Sequence, residues 1–108
     1  MNKKIYLFCD QGMSTSILAK KMQEVANKHN LPLEVKAFSI KELVKIVEEK
    51  NPNCALLGPQ VKHMFEDAQK RIEPFDIPVG VIDSVDYGMM DGERVLKKAI
   101  LLMKNHKK

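Results

Sequence analysis

Residues 5–16 have the sequence Ile-Tyr-Leu-Phe-Cys-Asp-Gln-Gly-Met-Ser-Thr-Ser, in which an apolar run leads through a cysteine into a segment rich in hydroxyl side chains. The continuous apolar run of residues 5–8 is typical of a strand buried on both faces of a parallel sheet. From Ser14 to about His29, apolar residues recur at helical spacing and are expected to face the core: Ile17, Leu18, Met22, Val25 and Ala26. The stretch therefore predicts a strand that leads into an amphipathic helix, with Cys9 at the junction.

The rest of the chain continues this alternation of strands and helices. We predict strands over 33–38, 55–57 and 77–82, helices over 40–50, 61–72 and 95–103, and a loop over 83–92. The period-two pattern of residues 33–38 is typical of a half-buried edge strand. The alternation predicts the α/β class: one open, parallel, four-stranded sheet of order 2-1-3-4 with helices on both faces, a three-layer sandwich. The length of 108 residues predicts a single domain over residues 1–108.

Composition argues against several classes of protein. No apolar run approaches the roughly 18 residues of a membrane span, and no secretory cleavage site follows residues 5–8, so we predict a cytoplasmic protein without membrane insertion. Much of the net charge of +4 comes from lysines near the carboxyl end, where they complement a helix dipole, so we predict no nucleic-acid partner. Metal-binding spacings of cysteine and histidine are absent from the sequence. We predict no metal and no cofactor, and we interpret Cys54 as a buried strand residue.

Cys9 is the candidate reactive residue. Between the end of a strand and the start of a helix, it meets unpaired backbone N–H groups and the positive end of a helix dipole, which favour a thiolate or a bound phosphate. Gly12 allows the backbone to fold tightly around an anion, and Ser14, Thr15 and Ser16 add hydroxyl donors and helix caps. Open parallel sheets bind ligands where the strand order reverses, which here lies beside the first strand.

Two classes of chemistry fit a phosphate cradle around a cysteine. A cysteine phosphatase needs an arginine six residues after its cysteine to stabilise the transferring phosphoryl group, and Thr15 occupies that position. A phosphoryl carrier is therefore favoured over the alternative, a low-molecular-weight cysteine phosphatase with Asp83 or Asp86 as general acid. A second alternative is a non-catalytic, response-regulator-like or nucleotide-binding module, although Asp10 is the only acid at the first strand's end.

Three motifs together resemble a known family. Residues 5–16, Leu-Leu-Gly-Pro-Gln at 56–60 and Val-Ile-Asp-Ser-x-x-Tyr-Gly at 81–88 are similar to the enzyme IIB subunit of lactose/cellobiose-type (chitobiose-type) sugar phosphotransferase systems. The resemblance implies a flavodoxin- or phosphatase-like fold. It also implies that Cys9 accepts a phosphoryl group from a phosphohistidine of enzyme IIA. As a transient phosphocysteine, Cys9 would pass the group to a sugar, of cellobiose or chitobiose type, bound by the membrane enzyme IIC.

The resemblance also implies the members of the site. The phosphate would be wrapped by seven consecutive residues, and two residues of other loops would shape the rim: Asp10, Gln11, Gly12, Met13, Ser14, Thr15 and Ser16, then Gln60 and Tyr87. In-line transfer requires the Cys9 thiol to be reachable at the surface. A carboxylate beside a phosphate is repulsive, so we expect Asp10 to point to solvent or to be offset by its helical neighbours. Exposed Met13, Met89 and Met90 would form a docking surface for the two partners.

Overall fold

The computed structural model describes residues 2–10 and 12–106, which form one sheet covered by helices on both faces. In chain order the elements are β1 (Lys3–Cys9), α1 (Gly12–Lys28), β2 (Leu33–Ser39), α2 (Leu43–Lys50), β3 (Cys54–Leu57), α3 (Phe65–Ile72), β4 (Val79–Val81), α4 (Ser84–Gly88) and α5 (Gly92–Asn105). Short 3₁₀ turns at Ile40–Glu42 and Pro59–Met64 lead into α2 and α3, and a third turn, Glu73–Phe75, follows α3.

The sheet is parallel throughout and has the strand order β2-β1-β3-β4. β1 pairs with β2 from Lys3 opposite Leu33 to Cys9 opposite Ser39, and it pairs with β3 on its other side. The predicted order 2-1-3-4 and the edge position of the second strand are therefore confirmed. The strand order reverses between β1 and β3, at the carboxyl end of β1.

β1 supplies both cores of the sandwich because its side chains alternate between the two faces of the sheet. Ile5 and Leu7 pack with α1 and α5, whereas Tyr6 and Phe8 pack with α2 and α3. All four side chains are almost fully buried. Burial on both faces explains why residues 5–8 form a continuous apolar run, and it confirms the predicted three-layer arrangement.

Several predicted boundaries differ from the observed elements, among them those after β3. Residues 61–64 form a 3₁₀ turn, so the α-helical part of the predicted third helix begins only at Phe65. The fourth strand is shorter than predicted, Val79–Val81. The predicted loop over 83–92 contains the short helix α4, because the Asp83 carboxylate caps it by accepting hydrogen bonds from two backbone N–H groups. Among the described helices, none combines the length and the apolar character that a membrane span requires.

The inward stripe of α1 also differs from the prediction in one position. Ile17 was expected to face the core but is 47% exposed. The buried stripe follows Leu18, Met22 and Ala26, at intervals of four residues, and also includes Thr15. Ile17 lies about 100° around the helix from Leu18, which places it at the outer flank of that stripe.

The first residue of α5 packs directly on the backbone of α1. A Cβ atom at Gly92 would lie 2.9 Å from the carbonyl carbon of Lys21 and 3.0 Å from the backbone nitrogen of Met22. Because these are backbone atoms inside a helix, they cannot move aside as the end of a side chain does. Glycine at this position therefore permits the close approach of the two helices.

We predict that Gly92→Ala lowers the free energy of unfolding by about 1–3 kcal/mol, the usual cost of inserting a methyl group into a well-packed contact. Urea denaturation measures this change. Gly88→Ala is the matched control, because a Cβ at Gly88 meets nothing within 4 Å, and its stability should equal that of the wild type or exceed it slightly. Equal denaturation midpoints for the two variants would contradict the close packing of α5 on α1.

Candidate phosphoryl-transfer site

The carboxyl ends of β1 and β3 form the crevice at which the strand order reverses. β1 ends at Cys9 and leads to α1 on one face of the sheet, whereas β3 ends at Leu57 and leads to α3 on the other face. The backbone N–H of Gly58 donates a hydrogen bond to the carbonyl of Phe8 at 2.8 Å, which ties the loop after β3 to the end of β1. Cys9 therefore occupies the predicted position at the switch point of the sheet.

The Cys9 thiol is buried, contrary to the expectation that it is reachable at the surface. The residue is 1% exposed, and its Sγ lies 3.4 Å from the Asp10 Oδ1 and 3.3 Å from the Gln60 Oε1. Both neighbouring residues are themselves exposed. The thiol thus lies beneath surface side chains at the end of the strand, and attack on a phosphoryl group requires these side chains to move.

Asp10 does not point away from the thiol. One of its carboxylate oxygens is turned to the Cys9 Sγ, within hydrogen-bonding distance of the S–H group. Asp10 is exposed, as the first of the two expectations for it requires, but its carboxylate also contacts the thiol, which was not expected. The thiol proton provides the physical reason, because a protonated sulfur can donate to a carboxylate that a phosphorylated sulfur would repel.

Gln60 is brought to the thiol by the turn that follows β3, as predicted for a rim residue. Its Oε1, 3.3 Å from the Cys9 Sγ, is the alternative acceptor to Asp10 for the single hydrogen of the thiol. A Cβ at Gly58 would lie 2.9 Å from this Oε1 and 3.3 Å from the Cys9 Sγ. Gly58 is a further residue of the site, and the sequence predicted no role for it beyond its place in the motif of residues 56–60. The sequence feature that could have indicated its role is a glycine directly after a buried strand, since glycine is favoured where the backbone passes close to a ligand or side chain.

The predicted phosphate-binding segment forms the start of α1. This helix begins at Gly12, two residues before the predicted start, so Ser14, Thr15 and Ser16 lie inside its first turns and do not cap it. Ser14 and Ser16 are exposed, whereas Thr15 is fully buried. Gln11 lies outside the described residues, as do the side chains of residues 12 and 13. The first turn contains no acidic residue, so no carboxylate of that turn opposes an anion at the positive end of the helix dipole.

Tyr87 is not a rim residue. It is 8% exposed and belongs to the core between the sheet, α1 and α5. Its hydroxyl lies 3.0 Å from the Thr15 Oγ1, and this buried hydrogen bond joins α4 to the first turns of α1. The prediction of a rim position is wrong because α4, which was expected to be a loop, turns this side chain inward.

The short helix α4 is held by charged contacts. The buried Asp86 carboxylate lies 3.0 Å from the Nε of Arg94 and 2.7 Å from the Nζ of Lys98, both on α5. The Asp83 Oδ2 accepts hydrogen bonds from the N–H groups of Val85 and Asp86. Asp83 and Asp86, the candidate general acids of a phosphatase, are thus engaged in capping α4 and fixing it to α5.

Two apolar side chains of α4 and its C-cap face outward. Val85 is 63% exposed and Met89 is 73% exposed. Met90, the second predicted docking methionine near this helix, is half-buried and packs against the core instead. The predicted docking role of Met89 is therefore compatible with its exposure, whereas Met90 contributes mainly to the core. The side chain of Met13 is outside the described part of the chain.

Solved structures share this architecture. The lactose-specific IIB component domain of the phosphotransferase system from Streptococcus pneumoniae superimposes with a TM-score of 0.84 over 94% of this chain and 98% of that chain, at 15% identity. The cellobiose-specific phosphotransferase IIB component from Borrelia burgdorferi gives a TM-score of 0.80 over 100% and 97% of the two chains, at 30% identity. The fold is that of small, flavodoxin-like IIB proteins.

The family model described as "PTS system, Lactose/Cellobiose specific IIB subunit" matches residues 4–98, and the chain belongs to this family. It is 35% identical to the oligo-beta-mannoside-specific EIIB component of Bacillus subtilis (strain 168), over 95% of this chain and 98% of the relative. It is 39% identical to the galactose-specific EIIB component of Lactococcus lactis subsp. cremoris and, likewise at 39%, to the cellobiose-specific EIIB component of Lactococcus lactis subsp. lactis. Both alignments cover 94% of this chain and 97% of the relative.

We predict that iodoacetamide alkylates Cys9 but not Cys54 in the folded protein at neutral pH. Burial in the centre of the sheet raises the pKa of the Cys54 thiol to about 12. The thiolate fraction of Cys54 is therefore lower by about 100-fold or more than that of an ordinary cysteine of pKa about 8.5. Mass spectrometry of tryptic peptides measures both rates.

In the same experiment, Gln60→Ala tests whether the Gln60 side chain limits access to the Cys9 thiol. Removing the amide uncovers the Cys9 Sγ, so the variant should react faster at Cys9 and equally slowly at Cys54. Equal alkylation rates for the two thiols in the wild type would contradict the assignment of Cys9 as the reactive cysteine.

Proposed function

We propose that this chain carries a phosphoryl group on Cys9, which receives it from a phosphohistidine of enzyme IIA and delivers it to a sugar bound by the membrane enzyme IIC. The observation that carries the proposal is the position of Cys9 at the switch point of the sheet, directly before the first turn of α1, in a chain of the IIB family. The free N–H groups of that turn would hold the phosphoryl oxygens.

The chemistry consists of two phosphoryl transfers. In the first, the Cys9 sulfur attacks phosphorus in line with the leaving imidazole, so that an S–P bond forms and the P–N bond breaks. The thiol proton is balanced by protonation of the released imidazole. In the second transfer, a sugar hydroxyl oxygen attacks phosphorus and the S–P bond breaks. The sulfur leaves as a thiolate, and the proton released by the hydroxyl restores the thiol.

The arrangement of the acids and of Thr15 supports a carrier over a phosphatase. A phosphatase would need a guanidinium where Thr15 lies and a free carboxylic acid to protonate the leaving group. Thr15 is buried in a hydrogen bond with Tyr87, and Asp86 is paired with two cations. A phosphocysteine in this loop would lack both groups and would survive until an acceptor docks.

The remaining roles in the proposed function follow from membership of the IIB family. Residues 1–108 would act as one cytoplasmic carrier domain between enzyme IIA and the cytoplasmic side of enzyme IIC. Enzyme IIC would bind the sugar, and we propose a sugar of the cellobiose or chitobiose type. The relatives support a sugar substrate, since their names specify an oligo-beta-mannoside, galactose and cellobiose. The phosphate contacts would come from the backbone of residues 10–16, with Gln60 rotating its amide so that the NH₂ group donates to a phosphoryl oxygen.

We predict that incubation with phosphorylated enzyme IIA of a lactose/cellobiose-type system adds one phosphoryl group, about 80 Da, to this protein. The label should be absent from Cys9→Ser and present in Cys54→Ser, because only the first variant lacks the attacking sulfur. Intact-protein mass spectrometry measures both.

Turnover of p-nitrophenyl phosphate distinguishes a phosphoryl carrier from a phosphatase. A carrier should not turn over this small substrate, whereas steady hydrolysis that Cys9→Ser abolishes would show a phosphatase instead. A label that Cys54→Ser removes and Cys9→Ser retains would show that the wrong cysteine has been assigned.

We predict that Asp10→Asn raises the equilibrium ratio of phosphorylated to unphosphorylated protein by about fivefold, because it removes a negative charge a few ångströms from the phosphorylated sulfur. The ratio is measured by mass spectrometry at fixed ratios of phosphorylated to free enzyme IIA. Glu49→Gln, near the end of α2 and the opposite edge of the sheet, is the control, since it changes the net charge equally. An equal effect of the two substitutions would contradict a local role for the Asp10 carboxylate.

A further inference from the structure

We propose that Tyr87 is a positioning residue for phosphoryl transfer, which acts through Thr15 to fix the first turns of α1 relative to the Cys9 sulfur. This inference rests on the proposed carrier function and assigns to Tyr87 a role other than that of a rim residue. The observation behind it is the buried hydrogen bond between the Tyr87 hydroxyl and the Thr15 Oγ1, at 3.0 Å and 72 residues apart in sequence.

Thr15 is the point at which the start of α1 is anchored. The residue has no exposed surface and lies in the first turn of the helix, six residues after Cys9. The backbone N–H groups of this turn lack partners within the helix, and they are the groups that would meet phosphoryl oxygens on Cys9. Any shift of Thr15 would move these donors with it.

Tyr87 is held in place because polar contacts fix α4 to the rest of the protein. With five residues, α4 is too short to be stable alone. Its stability comes from the Asp83 cap and from the ion pairs of the buried Asp86 with Arg94 and Lys98 on α5. Asp86 is buried while both cations are more than half exposed, and a buried carboxylate is costly without a partner. These pairs therefore favour one position for Asp86 and for the adjacent Tyr87.

α5 itself is fixed to α1 at Gly92, where the two backbones are in contact. Contacts thus run in a closed ring from α1 through Gly92 to α5, through Asp86 to α4, and through Tyr87 back to Thr15 on α1. Such a ring leaves the start of α1 little freedom to move. Precise placement matters here, because transition-state contacts to a phosphoryl group depend on geometry.

The two sides of α4 allow a positioning role and a docking role to be tested separately. Tyr87 is buried, whereas Val85 and Met89 are exposed. Loss of the Tyr87 hydroxyl should therefore reduce the rate constant at saturating donor and leave the apparent affinity for the donor unchanged. Truncation of Met89 should do the reverse, because this side chain lies where a partner would contact it.

The experiment measures single-turnover phosphoryl transfer from phosphorylated enzyme IIA as a function of donor concentration. Tyr87→Phe should lower the maximal rate by about 10- to 100-fold, as expected when catalytic donors are displaced by a fraction of an ångström up to about 1 Å. Thr15→Ser keeps the hydroxyl and should retain a rate close to that of the wild type. Met89→Ala should raise the donor concentration needed for half-maximal rate.

Tyr6→Phe is the matched control. Tyr6 is 1% exposed and donates its hydroxyl to the Glu34 Oε2 at 2.6 Å, on the other face of the sheet. Burial and the Glu34 carboxylate raise the pKa of Tyr6 above its usual range, which confirms that the hydroxyl stays protonated as a donor. The control removes a tyrosine hydroxyl without touching α1, so its transfer rate should equal that of the wild type.

The double variant Thr15→Val, Tyr87→Phe separates positioning from stability. Replacing both hydroxyls removes the bond without leaving an unpaired group, so its thermal midpoint should recover from that of Tyr87→Phe. Its transfer rate should stay low. Circular dichroism shows whether Tyr87→Phe folds. If it does not, the transfer rate of the double variant tests the positioning role in its place. A wild-type rate in the double variant, or in a folded Tyr87→Phe, would overturn the proposal.

The outcome for the wild type distinguishes this inference from the proposed function. If phosphorylated enzyme IIA does not label the wild type at Cys9, the carrier function itself is contradicted, and the role of Tyr87 with it. If the wild type is labelled and Tyr87→Phe is labelled at the same maximal rate, only the positioning role is contradicted.

Discussion

The pairing of β1 with parallel strands on both sides is the constraint on which the rest of this structure depends. It buries residues 5–8 on both faces, and it places the carboxyl end of β1 where the strand order reverses. Because β2 and β3 lie on opposite sides of β1, the helices that follow β1 and β3 must cross opposite faces of the sheet. The crevice between their starting points contains Cys9 and the loop that carries Gln60. The pairing of β1 with β2 and β3 therefore both stabilises the sheet and places the residues of the site together.

The surroundings of Cys9 combine attraction and repulsion for a phosphoryl group. The N–H groups at the start of α1 favour an anion, whereas the Asp10 carboxylate beside the sulfur disfavours one. The proposed carrier function would require such a balance, since a phosphoryl group that is bound too tightly would not move on to an acceptor. The cover formed by Asp10 and Gln60 adds a second condition, because the sulfur becomes more reachable as these side chains move. A docking partner is a natural cause of such movement.

The polar contacts away from the sulfur explain how so small a protein holds its loop in place. α4 is a short helix with few apolar contacts of its own, and charged groups and one buried hydrogen bond fix it between α1 and α5. Such contacts are directional, so they define position more sharply than apolar packing alone. The outer side of α4 remains free for a partner, with Val85 and Met89 exposed. One helix thereby combines an anchored inner side with an open outer side.

The sequence by itself determined the class of fold, the strand order, the buried character of β1 and the location of Cys9, because hydrophobic periodicity reports which faces are buried and the crossover rule limits topology. The resemblance of its motifs to the IIB family also indicated Gln60, whose loop follows a strand next to β1. Only the tertiary structure decided that the thiol is covered, that Asp10 turns toward it, that α4 exists and that Tyr87 is buried against Thr15. These features depend on contacts between side chains distant in sequence, such as the 72 residues between Thr15 and Tyr87. Periodicity within a single element carries no information about such pairs.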